Sequence, residues 1–133
     1  MSKVSGLAWT TCSLDDSAGT PVVIKNDVTD LSFATPRGVQ DITGIDKSAF
    51  ERLLLLADFT VDLKGVFNSA TSHTALKTVP STSVNRTLSL TVAGATLNNE
   101  IIITDYALSR SSSGELTWSA PGVLSDGSTP TWS

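Results

Sequence analysis

Apolar and polar residues alternate along much of this chain, and the alternation has a period of two. Across Asp58–Phe67, Phe59, Val61 and Leu63 fall on one side and Thr60, Asp62 and Lys64 on the other, as in a half-buried strand. Arg86–Ala93 repeats the pattern, with Leu88, Leu90 and Val92 inward and Thr87, Ser89 and Thr91 outward. Val28–Phe33 does the same through Leu31 and Phe33. Glu100–Leu108 carries Ile101-Ile102-Ile103, which predicts a strand covered on both faces. The turn residues Ser111–Gly114 then fold Glu115–Ala120 back onto it. Val22–Ile24 is a shorter strand candidate, and Leu7–Ser13, more loosely patterned, reads as a strand or an arm. Between these two, Asp15–Pro21 has the small acidic residues and glycine of a turn.

Helical signals are few. Asp46 is placed to cap a helix from Lys47 to about Leu56, although Leu53, Leu54, Leu55 and Leu56 equally suit the start of a strand. A second short helix is predicted over about Thr71–Thr78, ahead of Pro80. Residues 34–45 lose all periodicity and carry Pro36, Gly38 and Gly44, which predicts a long loop with a short extended piece at Val39–Ile42. Residues 1–6 read as a flexible N-terminus and 125–133 as a turn-rich tail that includes Trp132. The fold class expected is mainly β: a single-domain β-sandwich or barrel over residues 1–133, with one or two short flanking α-helices and a long loop. Its expected core is Leu31, Phe33, Phe59, Val61, Leu63, Leu88, Leu90, Val92, Ile101 and Ile103.

Composition sharpens this picture. The chain has 133 residues, enough for one core and not two. Its 19 Ser and 18 Thr, against only three Glu and one Met, favour strands over helices. A net charge of −4 argues against a basic nucleic-acid platform. The longest apolar run, Leu53–Ala57, is far too short to span a membrane, and no secretory leader is expected at the start. A lone cysteine, Cys12, excludes an internal disulfide framework, and with a single His73 it makes a zinc site implausible.

Catalytic chemistry finds little support. His73 lies in a polar segment with no nucleophile elbow nearby, so a surface helix histidine is expected. Cys12 has no cationic neighbour in sequence and reads as a small buried hydrophobe. The carboxylates of Asp15-Asp16, Asp58 and Asp62, and Glu100 and Asp105 are framed by no binding motif, and EF-hand spacing is absent. Gly38 and Gly44 stand alone, outside any phosphate-cradling pattern, and no cofactor is implied. What stands out is surplus apolar surface, which small β-domains with open edges close by self-association.

Several stretches together resemble the major tail tube proteins of long-tailed, non-contractile (siphovirus-type) bacteriophages. They are Val28–Arg37, then Gln40–Gly44, then Asp58–Asn68, and at the end Glu115–Ala120 followed by Gly127–Trp132. The order and spacing of these stretches carry the resemblance, from about Val28 to Trp132. It implies a two-sheet sandwich flanked by a helix, six copies to a ring, and rings stacked into a tube through which double-stranded DNA leaves the particle. The implied partners are further copies of the chain, a tape-measure protein, a tail terminator and baseplate or tail-tip proteins. The implied location is the virion tail, after synthesis in the bacterial host cytoplasm. The alternatives are a tube protein of a contractile injection or secretion system, a small β-sandwich binding module built on Trp9, Trp118 and Trp132, and, weakest, a hydrolase. Geometry is compatible with a tube. A compact chain of this length is roughly 35 Å across, and six touching discs leave a hole of about that width, wider than a DNA duplex.

Two sets of residues follow. The candidates for contacts between subunits or rings are Pro36, Arg37, Val39, Ile42, Phe50, Leu53, Leu54, Leu55 and Leu56, because four consecutive leucines sweep round a helix and cannot all reach one core. The candidates for a wet lumen wall are Thr60, Asp62 and Lys64 on one strand, and Thr87, Ser89 and Thr91 on another.

Overall fold

The computed structural model describes residues 3–133. A 3-10 turn, Gly6–Ala8, leads into β1 (Trp9–Asp15), β2 (Pro21–Val23) and β3 (Val28–Ala34). Then come β4 (Arg37–Asp41), β5 (Arg52–Ala57), β6 (Thr60–Val66), α1 (Ser72–Leu76), β7 (Arg86–Val92), β8 (Ala95–Ile103), β9 (Ala107–Arg110) and β10 (Leu116–Leu124). One antiparallel sheet runs in the order β2-β1-β7-β8-β10-β6-β3, with β9 beside β10, and β4 and β5 form a separate hairpin. The large sheet folds over on itself. β1 and β3 lie towards its opposite ends, yet the rings of Trp9 and Phe33 meet edge to face with centroids 6.4 Å apart. The result is a mainly-β sandwich with one layer of β2, β1, β7 and β8 and another of β9, β10, β6 and β3.

The alternation read from sequence is the reason these layers face each other. Phe59, Val61 and Leu63 from one layer meet Leu88, Leu90 and Ile101 from the other, all buried. Leu31, Phe33 and Ile103 are partly buried against this core, and Val92 is half-exposed. Cys12, read from sequence as a buried hydrophobe, also lies in the core, and Leu14, Ile24, Leu76, Leu97, Trp118 and Ala120 complete it without having been expected there. Between β7 and β8 the two-residue turn Ala93-Gly94 has φ of 49° and 85°, so the second position suits glycine.

Five expectations are corrected. No helix spans Lys47–Leu56: residues 52–57 form β5, and Asp46 and Lys47 lie in the turn before it. Four leucines in a row carry no period, and pairing with β4 decides for the strand. The expected loop at 34–45 therefore contains a strand, Arg37–Asp41, where Val39–Ile42 was read as extended. Glu100–Leu108 is not one strand but the end of β8 and the start of β9, broken at Thr104–Tyr106, where β10 exchanges one neighbour for the other. Ile102 consequently points outward and is exposed, so that strand is covered on one face only. Finally, His73 is no surface histidine. Its Nδ1 lies 3.2 Å from the Tyr106 hydroxyl, and its ring is tilted by 49° against Phe67 with centroids 5.0 Å apart.

The second expected helix, over Thr71–Thr78, is present in a shorter form as α1. Of the flexible N-terminus expected at 1–6, Met1 and Ser2 lie outside the described residues, and Gly6 already begins the 3-10 turn. The tail over 125–133 has no strand or helix but docks. Ser133 and Thr96 exchange two backbone hydrogen bonds of 2.9 Å, and the Trp132 ring sits 5.9 Å from Phe33.

Two buried charges tie the helix to the sandwich. The Asp27 carboxylate accepts hydrogen bonds from Thr71 Oγ1, from Asn68 Nδ2 at 3.1 Å and from the Ser72 backbone N–H at 3.1 Å. It thus caps α1 from outside the helix. Burial works against its charge, but the bonds from Thr71, Asn68 and Ser72 outweigh it and hold the carboxyl below its ordinary range. Arg86 donates to the carbonyls of Asp15 and Ala75 and to Thr78 Oγ1. Burial lowers the pKa of its guanidinium, while Asp16 and Asp15 oppose that shift.

Two outcomes are expected. Gly65 has room for no side chain, since a Cβ there would lie 2.2 Å from the Asp27 carbonyl oxygen and 2.9 Å from Trp118. Gly65→Ala should therefore destabilise the fold by about 1–3 kcal/mol or more in urea unfolding. Asp27→Ala should cost about 2–3 kcal/mol through the orphaned donors. Because the folded carboxyl titrates below the unfolded one, this contribution is complete above the unfolded pKa of about 3.9 and fades as pH falls through the folded value. Urea midpoints of the parent and the Ala variant measured from pH 6 down to acid should therefore converge.

Candidate assembly surfaces

The β4–β5 hairpin leaves the sandwich between Ala34 and Thr60 and pairs with nothing but itself. Its register is Val39 with Leu54, Gln40 with Leu53, and Asp41 with Arg52. One extra residue on β5 between Leu54 and Ala57 makes a bulge. Arg37 closes it, donating from Nε and Nη2 to the Leu55 carbonyl at 3.0 and 2.8 Å. At the other end, the Asp41 carboxylate accepts from the Thr43 N–H and hydroxyl. Those bonds hold its carboxyl below the ordinary range. The Thr43 hydroxyl in turn accepts from the Glu51 N–H at 2.8 Å, tying the base of the turn. The arm is thus well built internally, although nothing among the described residues covers it.

Its side chains make that exposure notable. Val39, Ile42, Phe50, Leu53, Leu54 and Leu55 are between 42 and 71% exposed, Leu56 is 91% exposed, and Ile45 at the tip is fully exposed. Pro36 and Arg37 lie where the arm begins, and Phe50 stacks under the Arg52 guanidinium, 4.7 Å from the ring centroid. The structure brings every sequence-named contact candidate onto this one arm. The argument from helical sweep fails, because these residues form a strand. Ile45, which sequence reading passed over, belongs to the same surface; an isoleucine between Gly44 and Asp46 was the available signal.

The lumen candidates divide. Thr60, Asp62 and Lys64 stand on the outer face of the β9-β10-β6-β3 layer, beside Ser32 and Asp30. Thr87, Ser89 and Thr91 stand on the outer face of the other layer, opposite Glu100, Asn98 and Thr96. The two outer faces of a sandwich point in opposite directions, so both sets cannot line one channel. The layers also differ at their edges. Among the described residues β3 pairs only with β6, and β9 only with β10, so the layer holding Asp62 ends in a free edge on both sides. The other layer has its free edge at the three-residue β2 and merges into β10 through β8.

The titratable groups inside the molecule all have structural surroundings. Burial pushes the Cys12 thiol up to about 11 and raises Tyr106, so neither is activated for chemistry at neutral pH. Among the described residues no cluster of three His, Cys, Asp or Glu could hold a metal ion. No helix is long and apolar enough to cross a membrane among them.

No protein-family profile and no curated protein sequence matches the chain. Solved structures do. A chain from the virion of a native gene transfer agent (GTA) particle superposes with a TM-score of 0.75 at 12% identity, over 98% of this chain and 99% of that one. A chain from the tail of an empty GTA particle with C6 symmetry superposes with a TM-score of 0.71 at 15% identity, over 98% of both chains. The fold is therefore the one found in this phage-like virion and its six-fold tail.

The arm's construction can be checked directly. Arg37→Ala removes both bonds to the bulged carbonyl, and hydrogen exchange at β4 and β5 amides should accelerate about 5- to 30-fold, equivalent to about 1–2 kcal/mol of local opening. The thermal midpoint of the sandwich should stay unchanged.

Proposed function

We propose that this protein is the tube subunit of a phage-like tail, assembling into hexameric rings that stack into a conduit for DNA ejection into a host cell. The observation that carries the reading is the end-to-end likeness of fold to a chain of a C6-symmetric tail. The exposed arm and the two free edges support it from physics. A closed ring of identical subunits needs two different, complementary surfaces on each copy. The edges of β3 and β9 are such a pair, at opposite sides of one layer.

In this reading the β9-β10-β6-β3 layer faces the lumen, because only that layer can continue from copy to copy at both edges. Thr60, Asp62 and Lys64 then line the channel, and Thr87, Ser89 and Thr91 face away from it. Asp30 and Asp62 outnumber the one Lys64 on this wall, so no cationic cluster grips phosphates and the duplex slides. The work is mechanical and needs no catalytic group or cofactor. The tape-measure protein, a terminator and tail-tip proteins are the partners such a tube requires, and the virion tail is where it acts, after synthesis in the bacterial cytoplasm.

Electron microscopy of the concentrated protein tests the reading, with six-fold rings or tubes as the expected result. Dispersed 13.9 kDa particles at every concentration, with or without a tail-tip nucleus, would overturn it. The lumen assignment has its own check. In assembled tubes, Asp62→Cys should react with a small maleimide and resist one on a protein-sized carrier, whereas Ser89→Cys should react with both. The reverse pattern would assign the channel to the other layer.

A further inference from the structure

Between β8 and the C-terminal tail a hydrogen-bonded ladder is begun at both ends and left open in the middle. The Ser125 N–H donates to the Glu100 carbonyl at 3.1 Å, and Ser133 and Thr96 exchange their two bonds further on. Between these pairs β8 passes through Leu97, Asn98 and Asn99, while the tail passes from Asp126 to Trp132, three residues against seven. The excess arches outward, with Gly127 in the left-handed region at φ 76°, and a hollow of about 180 Å³ lies beneath it. Thr96 and Glu100 turn their backbone groups towards the tail, so by alternation Asn98 does the same and Asn99 faces β7. Among the described residues no backbone group of the tail bonds to Asn98.

The lining is polar and acidic. Glu100 from β8 and Asp126 from the tail bring one carboxylate from each side, and among the described residues the only ion pairs belong to Lys47, so neither has a basic partner. One oxygen of Glu100 accepts from Thr87 Oγ1, and one of Asp126 accepts from the Ser128 N–H, which leaves each carboxylate a second oxygen. Asn99 gives an independent sign of a ligand. It is only 7% exposed, it lines the hollow, and its Nδ2 has no partner among the described residues. Since its backbone faces β7, the side chain is what reaches the hollow. The Ser125 hydroxyl, where the ladder opens, is also buried and unpartnered. Buried polar groups are seldom left so, and a bound ion or its water is a usual reason.

We propose that this hollow binds a hydrated divalent cation of the calcium type. Hard cations take carboxylate, carbonyl, hydroxyl and water oxygens, and Glu100, Asp126, Asn98 and Thr129 supply them here. Waters held by the ion accept from Asn99 Nδ2 and from the Ser125 hydroxyl. Two carboxylates fall short of a three-acid cluster, which sets the dissociation constant at about 0.1–1 mM. Unpaired carboxylates repel an anion, and an open, irregular lining suits calcium better than the strict octahedron of magnesium. One ligand stands on β8 and the other on the tail, so the ion pins the tail across the open ladder and holds Trp132 against Phe33. This concerns the single chain and does not rest on the tube reading.

Calcium chloride titrated into the dilute, full-length chain tests this. At about 10 mM it should raise the thermal midpoint by about 4–10 °C, with one site per chain by calorimetry. Hydrogen exchange at the Thr96 and Ser133 amides should slow about tenfold, and magnesium should bind about fivefold more weakly or worse. Glu100→Gln and Asp126→Asn keep the oxygens that Thr87 and Ser128 use, so both should fold, and each should weaken calcium binding about tenfold or more. Asp105→Asn, a carboxylate in the turn after β8, should leave binding unchanged. No shift, a shift matched by sodium chloride at equal ionic strength, or a shift that survives both variants would overturn the proposal. Should the variants misfold, exchange in the parent decides alone, and calcium that leaves Thr96 and Ser133 unprotected rules the site out.

Discussion

The whole sandwich depends on β10 being hydrogen-bonded to strands of both layers. Along Thr117–Val123 it pairs with β6, while its other edge serves β9 at Leu116–Ser119 and β8 at Gly122–Leu124. It is the hinge at which one sheet becomes two layers. The fold-over demands close approach at this strand. A Cβ on Gly122 would come within 3.0 to 3.2 Å of Ile101, Ile103 and Val61, side chains of both layers. Trp118 fills the other end of the strand and donates from Nε1 to the Val66 carbonyl at 3.0 Å. Because β10 gives its second edge to β8 only over its last three residues, β9 is left with a free edge. That free edge is a by-product of the constraint that closes the core.

The same logic explains what could be read from the sequence. Strands with one face in the core, such as β6 and β7, announce themselves by alternation, because core and solvent select opposite residues at successive positions. The arm is invisible to this test. Leu53–Leu56 has no alternation because neither face of the hairpin is packed on the core, and the run of leucines reads as easily as a helix. The same leucines were nevertheless singled out, since four in a row cannot all reach one core in either conformation. Two features stayed illegible. Arg86 heads an alternating strand and looks solvated, yet its chain reaches under α1. Asp27 lies in a turn-like triplet, yet it caps a helix 45 residues further on. Long-range polar bonds of this kind leave no local periodicity. The split of the lumen candidates onto opposite faces was equally hidden, because alternation says which residues face outward and not in which direction that is.

Buried ionisable groups often mark catalytic sites, since activity requires shifted proton affinities. Here the shifts have another origin. Asp27 and Arg86 are consumed in anchoring α1, and their hydrogen bonds end on backbone carbonyls, hydroxyls and amides of the scaffold itself. Phe67, His73 of the helix itself, Tyr106 and Trp118 form a continuous aromatic row, with neighbouring centroids 5.0 to 6.3 Å apart. A site needs groups that converge on open space, whereas these converge on each other. Polar chemistry in this molecule stiffens the body from which the arm projects.

That division of labour explains how a fold is kept almost end to end at 12 to 15% identity. A catalytic constellation ties function to particular side chains, and divergence that far erases it unless those residues are held. The proposed tube asks only that a layer keep two free edges and that its outer face stay free of cation clusters. Each demand is met by many residue combinations. Thr exchanges with Ser on a wet wall, and Leu with Ile or Val on an arm, at costs of about 1 kcal/mol or less. Pattern and shape then carry the fold, and the superposed backbones report a likeness that 12 to 15% identity does not. The exposed leucines of the arm are the part of that pattern that packs against no core inside the monomer.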